Sequence, residues 1–284
     1  MSRDTRFFYL CRKTKMILIV GKYELLATEI ARKFRDMHYG EEVQVRNSTR
    51  LLDYINAHCQ EIGMLFYVDR KLTDDADSSS RLEHLQLLWS AASKHAIPLF
   101  FLFFKYKSDY AIDNQLDKYA FWIDKQFRKP PFHYLFKMGE LYGLEDKASV
   151  VDDFYRQIVT AGTVTVSRRR DDEDNWVERQ LDYLYVTDVV RVLYWFAIHR
   201  PASGSYELGG GFPRTDTAVV GAISRVLKLS PQISYEEIGG NFPQRELPCL
   251  VVDLSTLRRI GYKKPFYSLE NGVKSYLHRL FLPK

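Results

Sequence analysis

Two rhythms of apolar and polar residues share the first 160 positions of the chain. Runs of strand length lie at Ile17–Val20, Glu42–Arg46, Gly63–Val68, Pro98–Phe104 and His133–Met138. Between them the apolar residues recur with helical spacing. Leu25–Met37 puts Leu25, Leu26, Ile30 and Phe34 on one face, and Leu82–His95 does the same with Leu82, Leu85, Leu88 and Trp89. Leu51–Cys59, Gln115–Phe127 and Val150–Thr160 are the other predicted helices of this stretch. Strands that alternate with helices form a parallel sheet covered on both faces. The continuous apolar character of most runs agrees, because a strand buried on both faces has no polar side to show.

The rhythm changes after about residue 162. TVTVS (163–167) is a predicted strand, and Arg168–Arg170 followed by Asp171–Asp174 reads as a charge-balanced solvated loop. Leu184–Val186 is a strand leading into a helix that starts near Asp188. SYELGGG (205–211) is a strand ending in a glycine cluster, and a helix runs from about Thr217 to Leu229. ISYEEI is a further strand, and Leu254–Ile260 a short helix. The chain closes on Leu269–Leu280, an amphipathic helix with Val273, Tyr276 and Leu280 turned inward. The expected division is an extension at 1–15, a sheet domain at 16–162 and a lobe at 163–284 that shares the sheet through about 181–200.

Composition narrows the function classes. The 284 residues are 46% apolar and 14% aromatic, enough for a large core. A net charge of +5 is mild for this size and argues against a nucleic-acid partner. The longest apolar run, Ala96–Phe104, is about half of a membrane span, so no membrane partner is expected. The three cysteines, Cys11, Cys59 and Cys249, have no metal-ligand spacing and read as reduced, buried thiols of a cytoplasmic protein. No metal is expected. The seven histidines are scattered, with His84 and His95 at surface or packing positions of one helix. Asp152/Asp153 and Glu236/Glu237 read as solvated faces.

Three motifs in the second half carry a family resemblance. They are LDYLYVTDVV (181–190), YELGGG (206–211) and VDLSTLRRIGYKKPFYSLENGVKSYL (252–277). In this order they resemble the extended short-chain dehydrogenase/reductases, the family of nucleotide-sugar epimerases and dehydratases. The tail is most similar to the ADP-glycero-manno-heptose 6-epimerases. Upstream, Tyr142 and Gly143 fall where that family has the Tyr-Gly of its FRxxNVYGP stretch. The resemblance spans about residues 16–284. It implies a Rossmann-type, doubly wound α/β fold with a smaller C-terminal α/β substrate-binding lobe. It also implies a glycine-rich turn for an NAD(P) pyrophosphate, and a Ser/Thr with a Tyr-x-x-x-Lys pair for acid–base work on a sugar.

The chain departs from that pattern at each chemical position. Gly21 matches the first glycine of the turn, but Glu24 and Ala27 stand at the second and third. The second glycine lets the backbone approach the pyrophosphate. A carboxylate in its place would repel the phosphate by about 4 kcal/mol at about 4 Å and an effective dielectric near 20. The same carboxylate suits a helix N-terminus, where it would take the place of the cofactor's anion. After the second strand, Arg46 and Asn47 resemble an NADP-type ribose site, or form a polar loop before a cap at Ser48 or Thr49. Where the catalytic Ser/Thr should lie, the chain has Phe103, Phe104 and Lys105, with Ser108 a few residues late. Tyr119 is followed four residues on by Ile123, so the Tyr-x-x-x-Lys pair is missing there. YVDRK (67–71) replaces the small residues that admit the cofactor in the family.

On the substrate side the resemblance points to Lys137, Glu140, Arg179 and Arg245 as residues that could hold a nucleotide sugar. Two readings follow. In the first, NAD(P)-dependent catalysis is lost, no cofactor is held, and the chain is a binding or interaction protein. It would bind a nucleotide sugar, pair with itself or join an active paralogue. In the second, an NADP-dependent epimerase or reductase uses relocated groups among Lys105, Tyr106, Lys107, Ser108, Tyr110 and Tyr119.

Overall fold

The computed structural model describes residues 16–21, 24–35, 42–44, 48–68, 78–104, 132–144, 149–171, 173–237 and 251–281. The chain divides into two compact units. The first holds residues 1–103, 118–136 and 196–205, the second 104–117, 137–195 and 206–284.

The first unit is built on a six-stranded sheet. Its strands are β1 (Met16–Gly21), β2 (Glu42–Gln44), β3 (Ile62–Val68), β4 (Leu99–Phe104, up to Phe103), β5 (His133–Met138, up to Phe136) and β11 (Gly204–Leu208, up to Ser205), in the spatial order β11-β5-β4-β3-β1-β2. β1 runs parallel to β2 and to β3, and β3 parallel to β4. Helices α1 (Glu24–Arg35), α2 (Ser48–His58) and α3 (Ser78–Lys94) follow β1, β2 and β3 in the chain. α1 buries the predicted stripe of Leu25, Leu26, Ile30 and Phe34. Glu24 opens α1.

Aromatic residues fill both faces of this sheet. Register pairing sets Phe66 beside Phe100 and Tyr67 beside Phe101. On one face Phe100 stacks on Phe66 at 4.6 Å between centroids and meets Tyr134 at 5.0 Å. Phe196 closes edge-on against both Tyr134 and Phe136 at 4.9 Å. On the other face Tyr67 lies 6.2 Å from Phe101 and 6.0 Å from Phe103. Every residue of β4 is buried, as a continuous apolar run requires.

The second unit is stitched from short pieces. β6 (Glu140–Tyr142) pairs in parallel with β10 (Tyr183–Tyr185), and β9 (Gln180–Leu181) pairs antiparallel with β12 (Arg214–Thr215). β7 (Thr163–Arg170) lies between β13 (Gln232–Glu237) and β8 (Trp176–Val177). Its helices are α4 (Val150–Ala161), α5 (Val186–His199, up to Trp195), α6 (Asp216–Leu227), α7 (Ser255–Arg259) and α8 (Leu269–Phe281).

Three expectations change here. Arg168–Arg170 are not loop residues but the end of β7. Arg168 is sandwiched between Trp176 at 3.9 Å and Tyr235 at 4.2 Å, and Arg170 also covers Trp176. Flat guanidinium ions on aromatic faces extend the strand past the point where charge suggested a loop. Leu280 stays 38% exposed, and Leu277 takes the inward position beside Val273 and Tyr276. Cys59 is free but half-buried rather than sealed in the core, and Cys11 and Cys249 lie outside the described residues.

Candidate functional site

The second unit contains a polar cleft of about 470 Å³, within the range of small-molecule sites. One wall is the start of α4, with Ser149, Val150, Asp153, Phe154, Arg156 and Gln157. Ser149 caps this helix by accepting the Asp152 N–H at 3.1 Å, which fixes where its first turn begins. The second wall is the β7–β13 pair. Thr165, Ser167 and Glu236 line the cleft, and the register sets Glu236 beside Ser167. Strand alternation explains the chemistry of this wall: Val164 and Val166 are buried, so Thr165 and Ser167 face the other way. Gln157 ties the two walls by accepting the Thr165 N–H at 2.9 Å.

Arg179 and Asp216 complete the cleft. Asp216 is the first residue of α6, and Thr215 caps that helix through the Ala218 N–H. The Asp216 carboxylate is nearly inaccessible. One oxygen accepts Arg179 Nε at 2.7 Å and the other accepts the Tyr183 hydroxyl at 2.7 Å. Burial, then the Asp216 charge, pushes the Tyr183 phenol well above its ordinary pKa, so it stays a donor. Burial alone would lower the Arg179 pKa, but Asp216, Tyr183 and Glu140 together outweigh it and raise it. Beside this pair Glu178 accepts from the Thr217 N–H at 2.9 Å and from its hydroxyl at 2.6 Å. Two consecutive residues, Glu178 and Arg179, therefore clamp the N-terminus of α6.

The family-like motifs of this unit turn out to fasten it together. Asp182 of LDYLYVTDVV is fully buried and accepts the N–H groups of Gly210 and Gly211. A Cβ on Gly209 would come within 2.7 Å of that carboxylate, so the glycine cluster lets the loop close on Asp182. Asp188 of the same motif accepts the Tyr267 N–H at 2.8 Å and pairs with Arg191, which also reaches Pro265 O. Burial raises the Asp188 pKa to about 6, outweighing both donors. Gly272 in α8 packs directly under the Tyr142 hydroxyl, where any Cβ would overlap it.

Of the residues expected at a site, Arg179 lines the cleft. Glu140 opens β6 and is not a lining residue, though its charge is felt by Arg179 and Tyr183. Lys137 sits within β5, away from the lining. Gly21 ends β1. Arg46, Asn47, Lys105, Tyr106, Ser108, Tyr119 and Arg245 lie outside the described residues. Asp152, expected on a solvated face, instead accepts the Tyr276 hydroxyl at 2.6 Å and Arg156 Nε at 2.8 Å. His95 bonds Asn56 at 2.8 Å, a packing role. Among the described residues no cluster of ligands could hold a metal, and no helix is long and apolar enough to cross a membrane. Asp216, Tyr183, Gln157 and the hydroxyls of β7 were not singled out from sequence. The signals were present in the Thr-Asp start of α6 and in the alternation of TVTVS.

Comparison with solved structures settles the architecture. The chain superposes on Bordetella bronchiseptica WbmG, solved with NAD and UDP, with a TM-score of 0.73 at 10% identity, covering 94% of each chain. For the UDP-glucose 4-epimerase of Thermotoga maritima, solved with UDP-glucose, the TM-score is 0.70 at 13% identity, over 94% of this chain and 100% of that one. The fold is that of the extended short-chain dehydrogenase/reductases. No family model matches the chain. Among curated proteins, ADP-L-glycero-D-manno-heptose-6-epimerase of Fusobacterium nucleatum is 27% identical over 180 residues, 57% of this chain and 54% of that protein. The chain spans about half the length of the curated relatives it matches. Against the short-chain dehydrogenase/reductase plan, the sheet has a notable edge. A dinucleotide fold of two equal halves has strand order 3-2-1-4-5-6. Here, among the described residues, β2 is the outermost strand, and those between β2 and β3 hold α2 and no further strand.

Proposed function

We propose that this chain is a nucleotide-sugar epimerase-like protein that has given up NAD(P)-dependent catalysis and acts by binding, with the cleft of the second unit as its ligand site. The observation that carries the reading is the state of the sheet's carboxyl ends, where ligands of open parallel sheets bind. Tyr67 and Phe103, next to the ends of β3 and β4, are 5% and 3% exposed and pack their rings 6.0 Å apart. These bulky rings stand where the family pattern has small and hydroxyl-bearing residues. The edge position of β2 supports the same reading, since among the described residues the first mononucleotide half has two strands in place of three. In the sequence Glu24, the first residue of α1, stands where the family pattern has the second glycine of its turn. These residues do not fit a dinucleotide in the family's manner, and no chemical step is assigned to one.

Without hydride transfer the fold still offers a built cleft. Its lining of hydroxyls, one amide, carboxylates and guanidinium groups suits a polar ligand. A sugar nucleotide is the first to try, since the Thermotoga maritima relative was solved with UDP-glucose. The test of lost catalysis is an assay of the purified protein on ADP-heptose and on UDP- and dTDP-hexoses with NADP and NAD. The expected result is no turnover above background. Turnover that disappears on substituting Tyr119 or Lys105 would overturn the reading in favour of relocated acid–base groups.

A further inference from the structure

The charges around the cleft say more about its ligand than its volume does. Its lining carries two guanidinium groups, Arg156 and Arg179, against three carboxylates, Asp153, Asp216 and Glu236. Both arginines are already engaged. Arg156 lies 2.8 Å from Asp152 and 3.8 Å from Asp153, one helical turn away on its own helix. Arg179 is held by Asp216, whose side chain is 2% exposed. Asp216 cannot swing out to solvent easily, because its second oxygen is fixed by the Tyr183 hydroxyl and its backbone begins α6 under the Thr215 cap. A diphosphate arriving at Arg179 would therefore meet a fixed carboxylate already bound to the same guanidinium. Like charges at such range repel strongly in a partly dry site. A hydroxyl or amino group arriving there would instead find carboxylate acceptors.

We infer that Asp216 is the specificity-determining residue of this cleft: by holding Arg179 it turns away a diphosphate and leaves ligand hydroxyl and amino donors to Asp153 and Glu236. The inference rests on the reading of the cleft as the ligand site. It narrows that reading, since the sugar or nucleoside part of such a ligand would suit the cleft and its diphosphate would have to lie away from Arg179.

Titration calorimetry with inorganic pyrophosphate at low salt tests this, on wild type, Asp216→Asn, Arg179→Gln and the double variant. Asn keeps an acceptor for Tyr183 but no longer neutralises Arg179. Asp216→Asn should bind pyrophosphate at least tenfold more tightly than wild type. Arg179→Gln alone should bind no more tightly than wild type, and in the double variant the gain should vanish. Absence of a gain in a folded Asp216→Asn protein overturns the inference. So does a gain that survives the loss of Arg179. If circular dichroism shows Asp216→Asn unfolded, Asp216→Ser decides by the same criterion: a tenfold gain in pyrophosphate affinity upholds the inference, and its absence in a folded protein refutes it. NADP-dependent turnover would sink the proposed function while leaving these affinities unchanged, so the two failures are separable.

Discussion

Single residues hold the second unit together, and Asp188 is the one whose contribution can be read by pH. Its carboxyl is buried, fixes the Tyr267 N–H and pairs with Arg191, yet its pKa is raised from 3.8 to about 6. A carboxyl with a folded pKa above its unfolded value stabilises the fold fully below the unfolded pKa, and that contribution fades as pH rises through the folded value. Between about pH 4 and pH 6 the wild type should therefore lose up to about 3 kcal/mol relative to Asp188→Asn, which does not titrate. Urea unfolding of both proteins across this range measures the difference. A constant gap between them would show that Asp188 keeps an ordinary pKa in the fold. The sequence marked Asp182 and Asp188 as family-like positions. It could not say that each closes on a backbone segment tens of residues away, because those partners are N–H groups that carry no side-chain signature. The Asp216–Arg179 pair was invisible for a related reason: its members are 37 residues apart and belong to different elements.

Elements of the sheet were legible where burial dictates composition. β1, β3, β4 and β5 fall within a residue of the runs that predicted them, and α1 buries the stripe its spacing called for. Boundaries shifted where aromatic stacking, rather than burial, extends a strand, as at Arg168 and Arg170 on Trp176. The edge position of β2 was not legible, because strand order is a non-local property that no local periodicity encodes. The same distinction sets the energetics. Phe100 is 1% exposed and touches Phe66, Tyr134 and Phe136, so Phe100→Ala should destabilise by about 3–5 kcal/mol. Trp176 is 38% exposed and serves mainly as a platform for two arginines, so Trp176→Ala should cost only about 1 kcal/mol. Thermal unfolding of the two variants compares them directly. A similar fall in Tm for both would mean that the exposed three-stranded sheet is as tightly integrated as the central one.

On the proposed reading, fold and chemistry have parted across the whole molecule. The fold follows the extended short-chain dehydrogenase/reductase plan over more than nine-tenths of the chain, and the motifs that survive are the ones that fasten it. The same reading takes Glu24, Tyr67 and Phe103, and Tyr119 with Ile123, as replacements of the motifs that would hold a dinucleotide and move protons. Stability and catalysis place separate demands on one sequence, and a fold by itself does not carry an activity. The account stands or falls on the cofactor. Equilibrium titration of the purified chain with NADP and with NAD, followed by calorimetry and by quenching of its tryptophans, is the most direct measurement. The account predicts no saturable binding of either dinucleotide up to millimolar concentration. Saturable binding in the micromolar range would contradict it.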